Sequence, residues 1–245
     1  MGTSLLTSGI LFVAAIATSL LSAVSGMAGG ILMLAVLTFF FAPTVVIPLH
    51  ALTQVISNLT RSWYLRRYIH KSLFWWFFLG LPFGTLLAVI ILKNVDMEKT
   101  VTIMLLVIIL YTVFRPQRMP ELRIPFWGFT FIGFMIGLFG PLIGATGPMM
   151  APFFLRSDLT KNQIVASKSA VQLIGHIIKL PAFYYLGFTF GEYTFPLTIM
   201  ITGVILGTHF GVTLLGKISE DLFRWLFRLA LLAAAGRLAY QLFTT

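Results

Sequence analysis

His50, Gln54, Asn58 and Arg61 stand three and four residues apart, and Lys168, Gln172, His176 and Lys179 repeat that spacing 118 residues further on (168 − 50). On a helix these steps put four polar side chains on one face. Lipid offers such a face no partners, so in apolar sequence it must border an aqueous cavity or another polar element. The amides of Gln54, Gln172 and Asn58 can donate hydrogen bonds to an anion, and Lys168 can attract or gate one. His50 and His176 can take up a proton near neutrality as an anion enters, which makes them candidates for proton coupling. Each residue also has a plainer use. The glutamines and histidines suit interhelical hydrogen bonds, Lys168 suits an interfacial anchor, and Arg61 and Lys179 fit a vestibule or an anchor equally well.

A second phrase recurs at the same offset. Gly26-Met27-Ala28-Gly29-Gly30 returns as Gly144-Ala145-Thr146-Gly147-Pro148 (144 − 26). A helix N-terminus offers unpaired N–H groups and about half a positive charge, an anion site that needs no cationic side chain. Gly29, Gly30 and Gly147 would let a ligand approach the backbone, Thr146 adds a hydroxyl, and Pro148 fits a first helical turn. Tight helix packing is the other use of such glycines. Two copies in register with two polar stripes favour a site built between two halves.

The elements that must position these residues are membrane helices. Hydrophobic residues make up 58% of the 245 and charged residues 10%, more apolar surface than a soluble core of this size uses. Apolar runs near 5–24, 72–92, 100–114, 124–143, 195–215 and 222–243 approach the roughly 20 residues that cross a bilayer. Each reads as a helix, since a lone strand leaves its backbone unsatisfied in hydrocarbon. The first run reads as a retained helix rather than a cleaved signal.

Two short arms, Ile31 to Phe41 and the stretch after Gly147, precede long segments from about Thr44 to Trp63 and from Asn162 to Tyr185. At about 1.5 Å per residue the first arm is roughly 15 Å long and cannot cross about 30 Å of hydrocarbon. The expected fold is an all-α polytopic membrane protein with two inverted repeats. Each has about five helical segments, one a short discontinuous helix. The first repeat is 1–114, the cytoplasmic linker 115–125 and the second repeat 126–245. Gly80 to Thr85 matches Gly203 to Thr208 at an offset of 123 (203 − 80), so the second copy gains five residues, most naturally around Gly187 to Thr194.

Charge orients the helices. With both termini on the extracytoplasmic side of the cell membrane, one set of ends collects Arg66, Arg67, Lys71, Arg115, Arg118, Arg123, Arg156, Lys161, Lys217, Arg224 and Arg228. The other holds mainly Lys93 and Lys99 with Asp96, Glu98 and Glu192, the asymmetry of the positive-inside rule. A count of eight spans, with both arms as re-entrant dips, would leave Arg156, Lys161 and the Lys217 to Arg228 cluster outside.

What is missing narrows the chemistry. The net charge of +10 gathers at helix ends, where it orients a membrane protein rather than binding nucleic acid. All seven carboxylates, Asp96, Glu98, Glu121, Asp158, Glu192, Glu220 and Asp221, fall near helix ends or loops, which argues against a cation pathway. With no cysteine and no metal-ligand spacing, the sequence predicts neither a metal site, nor a cofactor, nor an enzyme. The reading is a secondary transporter for a small anion working by alternating access. A passive anion channel is the alternative, and a membrane enzyme or assembly factor a distant third.

From about residue 8 to 242 the chain resembles the TauE/SafE family of membrane anion transporters. The resemblance rests on Gly26 to Gly30 with Gln54 and Asn58, and on Gly144 to Pro148 with Gln172, His176 and Lys179. It implies a plasma-membrane protein that moves sulfite, sulfonate or related sulfur-containing anions, with functional positions around Gly29, Gly30, Gln54, Gly147, Gln172 and His176. Two positions depart from the family pattern: Ala28 stands in a run that is usually richer in glycine, and Pro148 replaces a final glycine.

Overall fold

The computed structural model describes residues 5–25, 28–114, 122–154, 156–213 and 220–244. Gly26 and Met27 of the first glycine phrase lie outside them, as do Arg115, Arg118, Glu121, Lys217 and the side chains of Glu220, Asp221 and Arg224. The described residues form ten α-helices and three short 3-10 turns. In order the helices are α1 (Leu5–Ser25), α2 (Ala28–Leu37), α3 (Pro43–Tyr64), α4 (Lys71–Lys93), α5 (Met97–Phe114), α6 (Phe129–Ile143), α7 (Gly147–Phe154), α8 (Lys161–Tyr185), α9 (Thr194–Thr213) and α10 (Glu220–Thr244). The expected short arm at Ile31 begins three residues earlier, at Ala28, because the glycine pair is already helical. The five extra residues of the second copy fall around a turn at Gly187 (φ 91°) and a 3-10 turn, Phe190–Tyr193.

Among the described residues, five stretches are long and apolar enough to cross a membrane: Leu5–Ala23, Lys71–Lys93, Met97–Phe114, Phe126–Ile143 and Phe190–Gly211. α3 and α8 are as long, at 22 and 25 residues, but carry the polar stripes, and they pack on each other in the centre. Local chemistry sets their ends. Pro43 occupies the first turn of α3, while Thr160 and Gln163 close a reciprocal capping box at the start of α8.

The two central helices run antiparallel. His70 N–H, just past α3, donates to Ser167 Oγ at 2.9 Å, the rings of His50 and His176 meet midway, and Ile47 and Pro48 share a pocket with Phe183. Around this pair the outer helices are clasped by glycine. Gly80 and Gly84 of α4 lie against the backbone of Thr130 and Phe134, and Gly133 and Gly137 of α6 against that of Phe77 and Leu81, so α4 and α6 run parallel. A Cβ at any of the four would come within 2.3 Å of a carbonyl oxygen. Gly203, Gly207 and Gly211 of α9 fit α1 in the same way, at Phe12, Ile16 and Leu20. The first helix of each half therefore packs on the fourth helix of the other, a reciprocal arrangement compatible with two inverted copies.

α2 and α7 leave the centre in opposite directions. Phe41, beyond α2, meets Tyr193 (6.1 Å between ring centres), and Phe39 lies under Arg237 of α10. At the end of α7, Phe154 meets Phe129 (5.5 Å), and Pro152 C=O accepts from Leu122 N–H at 3.2 Å. Ten and eight residues long, these helices measure about 15 and 12 Å. Each reaches one end of the bundle from an interior start.

Candidate functional site

The interior starts of α2 and α7 meet the two stripes at one small cavity of about 10 Å³. Its wall is Ser22 of α1, Gly30 and Ile31 of α2, His50, Gln54, Asn58 and Arg61 of α3, Ala145, Thr146 and Gly147 at α7, and Gln172 and His176 of α8. That is room for about one water molecule.

Each wall residue is held by its own helix and few others. His50 Nε2 lies 2.9 Å from Gly30 C=O; a carbonyl only accepts, so this nitrogen carries the proton. Its ring faces that of His176 at 5.5 Å in an edge-on arrangement. Asn58 Nδ2 donates to Gln54 C=O at 2.9 Å, and Arg61 NH2 to Ser57 Oγ at 3.3 Å, both one turn back on α3. Thr146 Oγ contacts Met150 Sδ at 4.0 Å. Four buried polar atoms on this wall have no partner: His50 Nδ1, Asn58 Oδ1, Arg61 Nε and His176 Nδ1. Buried polar atoms ordinarily pair, so a cluster of four left open marks a surface shaped for something else.

Of the residues singled out by sequence, Gly30, His50, Gln54, Asn58, Thr146, Gly147, Gln172 and His176 share this wall. Gly29 and Lys168 are buried but lie off it. A Cβ on Gly29 would stand 1.8 Å from Thr18 C=O, so this glycine admits the backbone of α1. Gly30, its neighbour, faces Gln54 Oε1 instead, at 3.4 Å. Lys179 also leaves the cavity. Its stem crosses Gly140, and its Nζ donates to Gly144 C=O at 2.9 Å, closing the C-terminus of α6 where Gly144 turns at φ 69°. Sequence spacing left Arg61 between vestibule and anchor; here it is 3% exposed on the cavity wall. Ser22 carried no sequence signal, and Ala145 entered only as a member of the second glycine phrase. Every described carboxylate whose surroundings are defined, Asp96, Glu98, Asp158 and Glu192, is exposed.

A bundle of apolar helices that encloses a polar, carboxylate-free cavity at the starts of two half-length helices is an integral membrane protein of the transport class. The sequence model of the family described as sulfite exporter TauE/SafE matches residues 11–238. The chain belongs to that family. Comparisons with curated proteins and with solved structures returned no match.

Proposed function

We propose that the protein is a secondary transporter that carries sulfite or a small sulfonate through this cavity by alternating access. One observation carries the reading: Gly30 and Gly147, at the starts of half-length helices that leave in opposite directions, line the same buried cavity as Gln54, Gln172 and Arg61. Peptide N–H groups, two carboxamides and a guanidinium all donate, and an oxyanion accepts from all of them. The two halves, 1–114 and 126–245 joined by the linker 115–125, are inverted copies, and the arginine-rich ends of α3, α6 and α8 face the cytoplasm, with both termini outside. Asn58, Thr146 and Lys168 assist the anion's passage, Gly29 supports the site through α1, and the facing rings of His50 and His176 provide a route for coupling to protons.

Counterflow in proteoliposomes tests this directly. Labelled sulfite should enter vesicles preloaded with unlabelled sulfite faster than empty ones, saturate, and respond to an imposed pH gradient. A linear, unsaturated flux without counterflow stimulation would instead identify a passive channel. No anion-dependent flux from folded protein, across sulfite and small sulfonates, would remove the transport reading altogether. Gln172→Leu should cut the saturable flux about tenfold, the cost of one lost hydrogen bond to a charged ligand, while inserting normally.

A further inference from the structure

Arg156, at the rim of the bundle, shows what a guanidinium does with an oxyanion in this protein. Its Nε and NH2 donate side by side to the two oxygens of Asp158, at 2.9 and 2.7 Å. The same edge of Arg61 faces a different situation. Nε has no partner, NH2 has only the long 3.3 Å bond to Ser57 Oγ, and the side chain sits on the cavity wall. Lys179, which occupies the repeat-equivalent position, is already committed to Gly144 C=O. One of the two matched cations thus braces the frame while the other presents an unfilled donor edge to the cavity.

We propose that Arg61 is the oxyanion fork of the transport site, pairing its Nε–NH2 edge with two oxygens of a single sulfite or sulfonate group. The inference rests on the transport reading above and adds a selectivity to it. A planar fork matches two oxygens on one centre and gains little from a monatomic anion, whereas an ammonium treats both as point charges. Recognition at Arg61 therefore favours oxyanions over halides by shape as well as by charge. Gln54, about two turns back on α3, and Gln172 on α8 complete the donor set without supplying the fork.

The test is Arg61→Lys, which keeps the charge and removes the fork. In proteoliposomes the KM for sulfite should rise about tenfold, and chloride should become a better competitor relative to sulfite. An unchanged KM and an unchanged sulfite-to-chloride ratio, in protein that still transports sulfite, would overturn the fork and leave the transport reading standing. Wild-type protein with no sulfite flux would instead strike the transport reading. Should Arg61→Lys fail to fold, the thermal midpoint of the detergent-solubilised wild type decides. Sulfite and methanesulfonate should raise it at an ionic strength where chloride and bromide do not; equal shifts from all four would overturn the proposal.

Discussion

α3 and α8 carry the same polar spacing but use it differently. All four members of the α3 stripe, His50, Gln54, Asn58 and Arg61, stand on the cavity wall; from α8 only Gln172 and His176 do, while Lys179 braces the frame and Lys168 is buried off the wall. Gln54 and Gln172, equivalent by the 118-residue offset, both line the cavity. The facing histidines, His50 and His176, are not repeat equivalents: the offset matches His50 with Lys168 and Asn58 with His176.

The adjacent glycines Gly29 and Gly30 offer the sharpest way to break this division between frame and cavity. Gly29→Val should abolish stable insertion, since even its Cβ would meet α1 backbone at 1.8 Å, and no side-chain motion relieves that. Gly30→Ala places its Cβ 3.4 Å from Gln54 Oε1, so the protein should fold and lose flux instead. Size-exclusion profiles and counterflow on the same preparations separate the two outcomes. Equal loss of folded protein from both substitutions would merge the roles assigned here.

A smaller effect is expected at Lys179. Lys179→Met keeps the stem over Gly140 but leaves Gly144 C=O without its donor, a loss of about 1–3 kcal/mol. The thermal midpoint should fall while the KM for sulfite stays near that of the wild type, the reverse of Arg61→Lys. A raised KM with an unshifted midpoint would return Lys179 to the cavity.

The smallest effect concerns the rim, where Arg156 lies at 4.7 Å over Phe126, and Phe126 stacks on His70 at 4.2 Å. Arg156 beside Asp158 holds its carboxyl below the usual carboxylate range. Because the folded value is depressed, the stabilisation is present above the ordinary value and is lost as pH falls through the folded one. With the Asp158 side chain 37% exposed, solvent screening limits the contribution to about 0.5 kcal/mol. Asp158→Asn should lower the thermal midpoint slightly at neutral pH and converge with the wild type in acid. A gap that persists at low pH would assign the effect to packing instead.

Much of this architecture was legible because lipid leaves a helix few choices. The apolar runs near 5–24 and 72–92 become α1 and α4 within one residue at each end, and both stripes fall on helix faces turned inward. Gly80 to Thr85 and Gly203 to Thr208 matched as sequence because both face the first helix of the opposite half. What spacing could not give is the third partner. Gly29 and Gly30 are indistinguishable as letters, and only the path of α1 makes one a packing notch. Arg61 and Lys179 likewise differ through the C-terminus of α6, which lies far from both in sequence. The short arm was expected to start at Ile31, after the glycine phrase; the close approach of α1 gives Gly29 a place inside the helix.

The parallel pairing of α1 with α9 and of α4 with α6 constrains how the site can open. Each pair draws one helix from the first five and one from the last five, and their backbones interlock too closely to part without loss. On the proposed alternating-access reading, a swing that exposes the cavity would carry such a pair as one rigid lever, sliding past the α3–α8 axle. The pieces that travel are then mixed in ancestry, and a polypeptide severed in the 115–125 connection would be held whole by its own dovetails.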